Sequence, residues 1–125
     1  MSREDGVIDV DYDPETGIVT SRAAGLLSVT DVERSGREIR AAMAKARAQF
    51  GRALHLVDAR LSVAQPREVT EAIERDGSFL SHPDDRQAIV APTSLSTIQS
   101  RRLFPAPNER TFPSIEDAIA WLRGD

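Results

Sequence analysis

Val29, Val32, Gly36, Ile39, Met43, Ala46 and Phe50 recur at spacings that alternate between three and four. They therefore fall on one stripe of an α-helix. A helix from Val29 to Phe50 is ~33 Å long, and it gains most of its stability by burying that stripe against another element. Gly36 and Ala46 make poor knobs for a coiled-coil seam, so the expected partner is a sheet. Ser28 precedes the stripe and Asp31 follows it by three positions, a capping box with Asp in place of Glu. Gly51 is the natural stop.

Short strand signals surround this helix. In Val7–Tyr12 the residues Ile8, Val10 and Tyr12 share one face, and Asp9 and Asp11 share the other. Asp13-Pro14-Glu15-Thr16-Gly17 then supplies a turn, and Ile18–Ala24 returns as the second arm of a hairpin. Ala53–Asp58 is a short apolar run that reads as a covered strand. Pro66 suits the first turn of a second helix, with Val69, Ala72, Ile73, Phe79 and Leu80 as its buried side. Arg86–Ala91 is another buried strand. Pro92, Thr93 and Ser94 open a third helix carrying Leu95, Ile98 and Leu103. Arg110–Phe112 is a short strand, and Ser114 caps a last helix with Ile115, Ala118, Ile119 and Leu122 turned inward. The order β-β-α-β-α-β-α-β-α predicts an α/β domain with a mixed, mostly parallel five-stranded sheet, an N-terminal hairpin and four helices.

Composition limits the function. The 125 residues suit one domain, residues 1–125, large enough to bury a core unaided. With no cysteine there are no disulfides, thiolate metal sites or Cys nucleophiles. A net charge of −4 argues against nucleic acid or an anionic membrane as the main partner. The basic residues are almost all Arg, with Lys45 the single lysine, which reads as the coding bias of a GC-rich bacterial genome. The N-terminal residues lack the basic-then-apolar order of a signal peptide, and no apolar run approaches the ~20 residues of a membrane helix. The expected location is the cytoplasm, without stable membrane insertion.

Three stretches carry a resemblance. They are Tyr12-Asp13-Pro14-Glu15-Thr16-Gly17-Ile18-Val19 with Gly25 before the first helix, Leu54-His55-Leu56-Val57-Asp58-Ala59-Arg60, and Phe112-Pro113-Ser114-Ile115-Glu116-Asp117-Ala118-Ile119-Ala120-Trp121-Leu122. With the element order, they resemble the SpoIIAA-like proteins, which share the fold of sulfate-transporter and anti-sigma-antagonist domains. The likeness implies a sequentially ordered sheet with helices largely along one side. Anti-sigma antagonists carry a phosphorylatable Ser after the third strand in an Asp-Ser-Ser-Gly-like context. Here Ala59 and Arg60 follow Asp58, and neither accepts a phosphate, so no phospho-switch is expected at that position.

Open parallel sheets bind ligands beyond the carboxyl ends of their strands. That edge gathers Gly25–Ser28, Asp58, Arg60, Thr93, Ser94 and Ser114. Asp58 and Arg60 offer an acceptor and a forked donor, and the hydroxyls sit at helix starts that suit an anion. The simpler account makes the hydroxyls helix caps and Asp58–Arg60 a local ion pair. His55 reads as a packed, hydrogen-bonded strand residue. Ser81-His82-Pro83-Asp84-Asp85 is the most ligand-like cluster, yet it reads as a solvated turn, with no metal and no cofactor expected. No Gly-x-Ser-x-Gly elbow or Gly-rich phosphate loop occurs, although a Ser and a His distant in sequence can still meet in the fold. Trp121 stands at the margin of its helix's inward stripe, closing the core edge, covering a pocket or anchoring a partner.

These readings converge on a non-enzymatic binding or regulatory module acting by protein interaction, with Asp58, Arg60, Thr93, Ser94 and Trp121 as candidate binding residues. The alternatives are a carrier or sensor of a small apolar ligand, and an enzyme using Asp58 and Arg60. One-sided helices would leave Ile8, Val10, Tyr12 and Trp121 partly exposed, so a homodimer is expected.

Overall fold

The computed structural model describes residues 6–76, 79–91 and 108–124. Five strands form one sheet: β1 (Val7–Tyr12), β2 (Ile18–Gly25), β3 (Leu54–Ser62), β4 (Arg86–Val90) and β5 (Glu109–Phe112). Their spatial order is their sequence order. β1 runs antiparallel to β2, and every later pair is parallel. Among the described residues there are three helices, α1 (Val29–Phe50), α2 (Arg67–Asp76) and α3 (Ile115–Leu122). The helix expected from Pro92 to Leu103, with Thr93 and Ser94, lies outside the described residues. No helix among the described residues is long and apolar enough to cross a membrane.

α1 buries its stripe from Val32 to Ala46, while Phe50, the last residue of the expected stripe, stays exposed at the end of the helix. The Ser28 hydroxyl accepts from the Asp31 N–H at 3.0 Å, the Asp31 carboxylate accepts from the Ser28 N–H at 3.0 Å, and Gly51 closes the helix in the left-handed region at φ 80°. Its buried side seats Ile39, Met43 and Ala46 against Val19 and Ala53. Val32 joins Leu27, Val69 and Ala72 of α2 in a neighbouring cluster. The crossovers β2–α1–β3 and β3–α2–β4 step the same way along the sheet with one preferred hand, so both helices share a face.

The last helix departs from the one-sided expectation. α3 joins no further strand, so the handedness rule does not constrain it. It folds back over the opposite face, where Ala118 and Leu122 bury against Ile18, Leu54, Leu56, Ala88 and Val90. Those strand residues alternate with the ones on the α1 side, so β3 and β4 are largely buried on both faces. The hairpin face stays partly exposed, as expected. Ile8, Val10 and Tyr12 are half-buried and pack against the clusters under α1 and α2. β3 outruns its expected end at Asp58 by four residues, and α2 stops before Phe79 and Leu80, which still pack on the α1 cluster from the following segment.

The hairpin turn depends on Gly17. Asp13 gathers the turn by accepting from the Glu15 N–H and the Thr16 hydroxyl, each at 2.9 Å, and Gly17 sits at φ 76°. A β-carbon there would lie 2.6 Å from the Phe50 ring. Gly17→Ala is expected to cost about 1–2 kcal/mol from the backbone alone, read as a lower urea midpoint with an unchanged slope.

Candidate functional site

Beyond α3, the sheet face over β1, β2 and the end of β3 is lined with charge. Registers Asp9↔Arg22 and Arg22↔Asp58 put three charged side chains in one row across three strands. Arg60 grips Asp58 with both arms of its guanidinium, Nε to Oδ1 at 2.9 Å and Nη2 to Oδ2 at 2.9 Å, and adds its backbone N–H. Arg22 bridges from Asp11, at 3.3 Å, toward Asp58, at 4.0 Å. The Arg60 hydrogen bond holds the Asp58 carboxyl below its usual range against the opposing effect of burial, and the same bond raises Arg60. A carboxylate held ionised in this way is a poor proton acceptor, and the guanidinium committed to it is less able to hold an anion. Asp58–Arg60 is the local ion pair of the simpler account.

The loops at this end are also satisfied from within. The Ser28 and Asp31 side chains occupy the start of α1. Gln65 ties the β2–α1 and β3–α2 loops together: its Oε1 accepts from the Leu27 N–H at 2.8 Å, and its Nε2 donates to the carbonyls of Gly25 and Val63. A lone loop Gln has no sequence pattern, and its role was not legible. Apolar surface remains. Leu61 is 73% exposed, Val63 50%, Val7 48% and Leu26 39%. The registers Val7↔Ala24 and Ala24↔Leu61 place Val7 and Leu61 in one row, after an irregularity between Arg22 and Ala24 that shifts β2 against β3.

Trp121 is not brought to Asp58 and Arg60. It sits at the far end of α3, tilted on Phe112 at 5.6 Å, with the Arg86 and Arg110 guanidinium groups 5.2 and 5.8 Å from its ring centre. Arg86 also donates to the Trp121 carbonyl. The indole closes the core edge.

The inner face holds the Ser–His meeting that sequence left open. A polar row crosses four strands under α1. Ser21 Oγ lies 2.9 Å from His55 Nε2 and His55 Nδ1 lies 2.8 Å from Gln87 Oε1, and Glu109 stands beside Gln87 in register with its Oε1 buried and without a hydrogen-bond partner. His55↔Gln87↔Glu109 are direct register partners, and Ser21 is one step along the same face of β2. Because the Gln87 oxygen only accepts, Nδ1 carries the imidazole proton and Nε2 accepts from Ser21. Burial lowers His55 to about 4, partly offset by the Gln87 bond, and burial raises Glu109 to about 7. Phe79 closes edge-on over the imidazole at 5.5 Å. Ser21 and His55 are both buried, so a substrate cannot reach the hydroxyl, and a histidine of that acidity is a weak base. This is a packed row, not a nucleophile.

The Ser81–Asp85 cluster is an anchor. Asp85 is fully buried and accepts from Arg47 Nε at 3.0 Å and from the N–H groups of Ala53, Ser81 and His82 at 2.7, 3.0 and 3.0 Å, while Arg47 Nη2 lies 2.8 Å from the same carboxylate and donates to the Phe79 carbonyl. His82 turns back to accept from the Asp84 N–H. Among the described residues no three metal-ligating side chains gather. An open groove of about 280 Å³ runs between β1 and α1, lined by Val10, Tyr12, Ala41 and Ala42 with Asp11, Glu38 and Lys45 also contributing.

No family model and no curated protein matches the sequence. Solved structures do match in shape. An uncharacterised DUF3478-family protein from Shewanella loihica with a SpoIIAA-like fold superposes with a TM-score of 0.67 at 19% identity, over 98% of this chain and 97% of that one. An anti-sigma factor antagonist from Mycobacterium paratuberculosis gives 0.64 at 14%, over 98% and 97%. The anti-sigma factor antagonist SpoIIAA in its unphosphorylated form gives 0.62 at 18%, over 95% and 100%. Strand order, near-complete coverage and these scores agree: the chain has the SpoIIAA-like fold.

Proposed function

We propose that this chain is a non-enzymatic regulatory module that binds another protein through the carboxyl ends of β2 and β3. The carrying observation is the row of exposed Val7 and Leu61 at the end of the sheet that holds the Asp58–Arg60 pair, with Leu26 and Val63 also exposed where the chain leaves β2 and β3. A small apolar centre rimmed by satisfied charges is the usual anatomy of a protein interface. The fold shared with two anti-sigma factor antagonists supports the same reading. Regulation by phosphate directly after Asp58 is not part of it, since Ala59 and Arg60 stand there.

Catalysis by Asp58 and Arg60 finds less support, because each neutralises the other. An apolar-ligand carrier also finds less, because the groove is open and partly lined with charge. A homodimer through the half-buried Ile8, Val10, Tyr12 and Trp121 is the competing reading. Leu61→Asp is the test. The residue is exposed, so the variant should melt like the wild type, while partners crosslinked in cells at this patch should fall about tenfold. Sedimentation of both proteins at micromolar concentration tells a hetero-partner from a second copy. Identical crosslinking by both proteins, with both monomeric, would overturn the proposal.

A further inference from the structure

β1 ends the sheet, and among the described residues nothing pairs with its outer side. The hairpin closes with the Asp13 N–H donating to the Ile18 carbonyl at 3.0 Å. Counting back by twos along an antiparallel ladder, Asp11, Asp9 and Val7 exchange their bonds with β2, and Ile8, Val10 and Tyr12 aim their N–H and C=O groups outward. An outward row of backbone donors and acceptors is a template for another extended chain. The groove beside it, about 280 Å³, is lined by Val10, Asp11 and Tyr12 on β1 and by Glu38, Ala41, Ala42 and Lys45 on α1, so it can seat short apolar side chains between charged neighbours. On the other face of the strand stand Asp9 and Asp11, both exposed, with Asp11 paired to Arg22 at 3.3 Å.

We propose that the open edge of β1 docks an extended segment of a partner protein in which apolar residues alternate with basic ones. A strand added there would turn alternate side chains to opposite faces. One set would enter the groove against Ala41 and Ala42, and the other would lie beside Asp9 and Asp11. A second copy of this chain fits poorly. Pairing β1 with its own symmetry mate would gather Asp9 and Asp11 of both copies on one face, and like charges across a strand pair are destabilising. The site is distinct from the Leu61 patch and does not depend on that reading.

The test is an NMR titration of the isotopically labelled full chain with a short, capped peptide of alternating valine and lysine. Amide shifts should concentrate at Ile8, Val10, Tyr12, Ala41 and Ala42, and hydrogen exchange at the three strand amides should slow. The matching valine–glutamate peptide should bind about tenfold more weakly, and Asp9→Lys should narrow or reverse that preference. Leu61→Asp should leave the titration unchanged, so failure of the Leu61 proposal and failure of this one are separable. Silence of the β1 amides at millimolar peptide, equal binding of the two peptides, or self-association through β1 without peptide would each overturn the proposal.

Discussion

Asp85→Ala is expected to lower the stability of this protein by about 3–5 kcal/mol, the range for breaking a buried ion pair by removing one partner. The carboxylate joins three parts of the chain: Arg47 near the end of α1, the Ala53 N–H at the entry to β3, and the Ser81 and His82 N–H groups of the segment before β4. Truncation strands three backbone donors and a partly buried guanidinium together. Asp85→Asn keeps the shape but lacks the charge and one acceptor, so its loss should be smaller, about 1–3 kcal/mol. Urea unfolding at neutral pH reads both. These hydrogen bonds hold the Asp85 carboxyl below its usual range, although burial alone would raise it. A depressed carboxyl contributes stability above its unfolded value, near 3.8, and that contribution is lost as pH falls through the lower folded value. The wild type should therefore weaken below about pH 4 by an amount absent in Asp85→Asn.

The second large effect lies between pH 4.5 and 7, where the polar row holds two opposed titrations. His55 is neutral in the fold down to about pH 4, while in the unfolded chain it takes a proton near 6.5. The unfolded state then binds more protons, so stability falls as pH drops through that window, by at most about 3 kcal/mol. Glu109 acts the other way. Its folded value near 7 against 4.5 unfolded makes the native state bind more protons, so stability rises as pH drops. Glu109 remains partly open to solvent, which screens its contribution to about 1–2 kcal/mol. The wild type should consequently show a shallow acid slope. Glu109→Gln removes the opposing member, so the variant should gain about 1–2 kcal/mol at pH 8 and lose more than the wild type on going to pH 4.5. Parallel pH profiles for the two proteins would show that the Glu109 carboxyl is not held neutral by its burial.

How much of this was legible in the sequence follows from the range of each interaction. The α1 stripe, its Ser28–Asp31 box, the Gly51 stop, the hairpin turn and the Ser114 cap are written within a few residues of themselves, and the structure reproduces them. Periodicity also separated the two faces of β1, and alternation of elements implied a parallel sheet. The Asp58–Arg60 pair was readable because the partners stand two residues apart.

Contacts between distant segments were not readable. Nothing local marks Gln65 as the tie between two loops, or Asp85, within a polar turn motif, as the side chain that turns inward. His55, Gln87 and Glu109 become a row only when three parallel strands take one register, since each is an isolated polar residue in its own segment. The choice of face for α3 was likewise tertiary. Chirality directs a helix that joins two parallel strands, but a terminal helix is placed by whatever apolar surface is left uncovered, here Leu54, Leu56, Ala88 and Val90 on the side away from α1. Local chemistry thus determined the elements of this protein. Which faces stayed wet and which polar groups went dry were decided by packing alone.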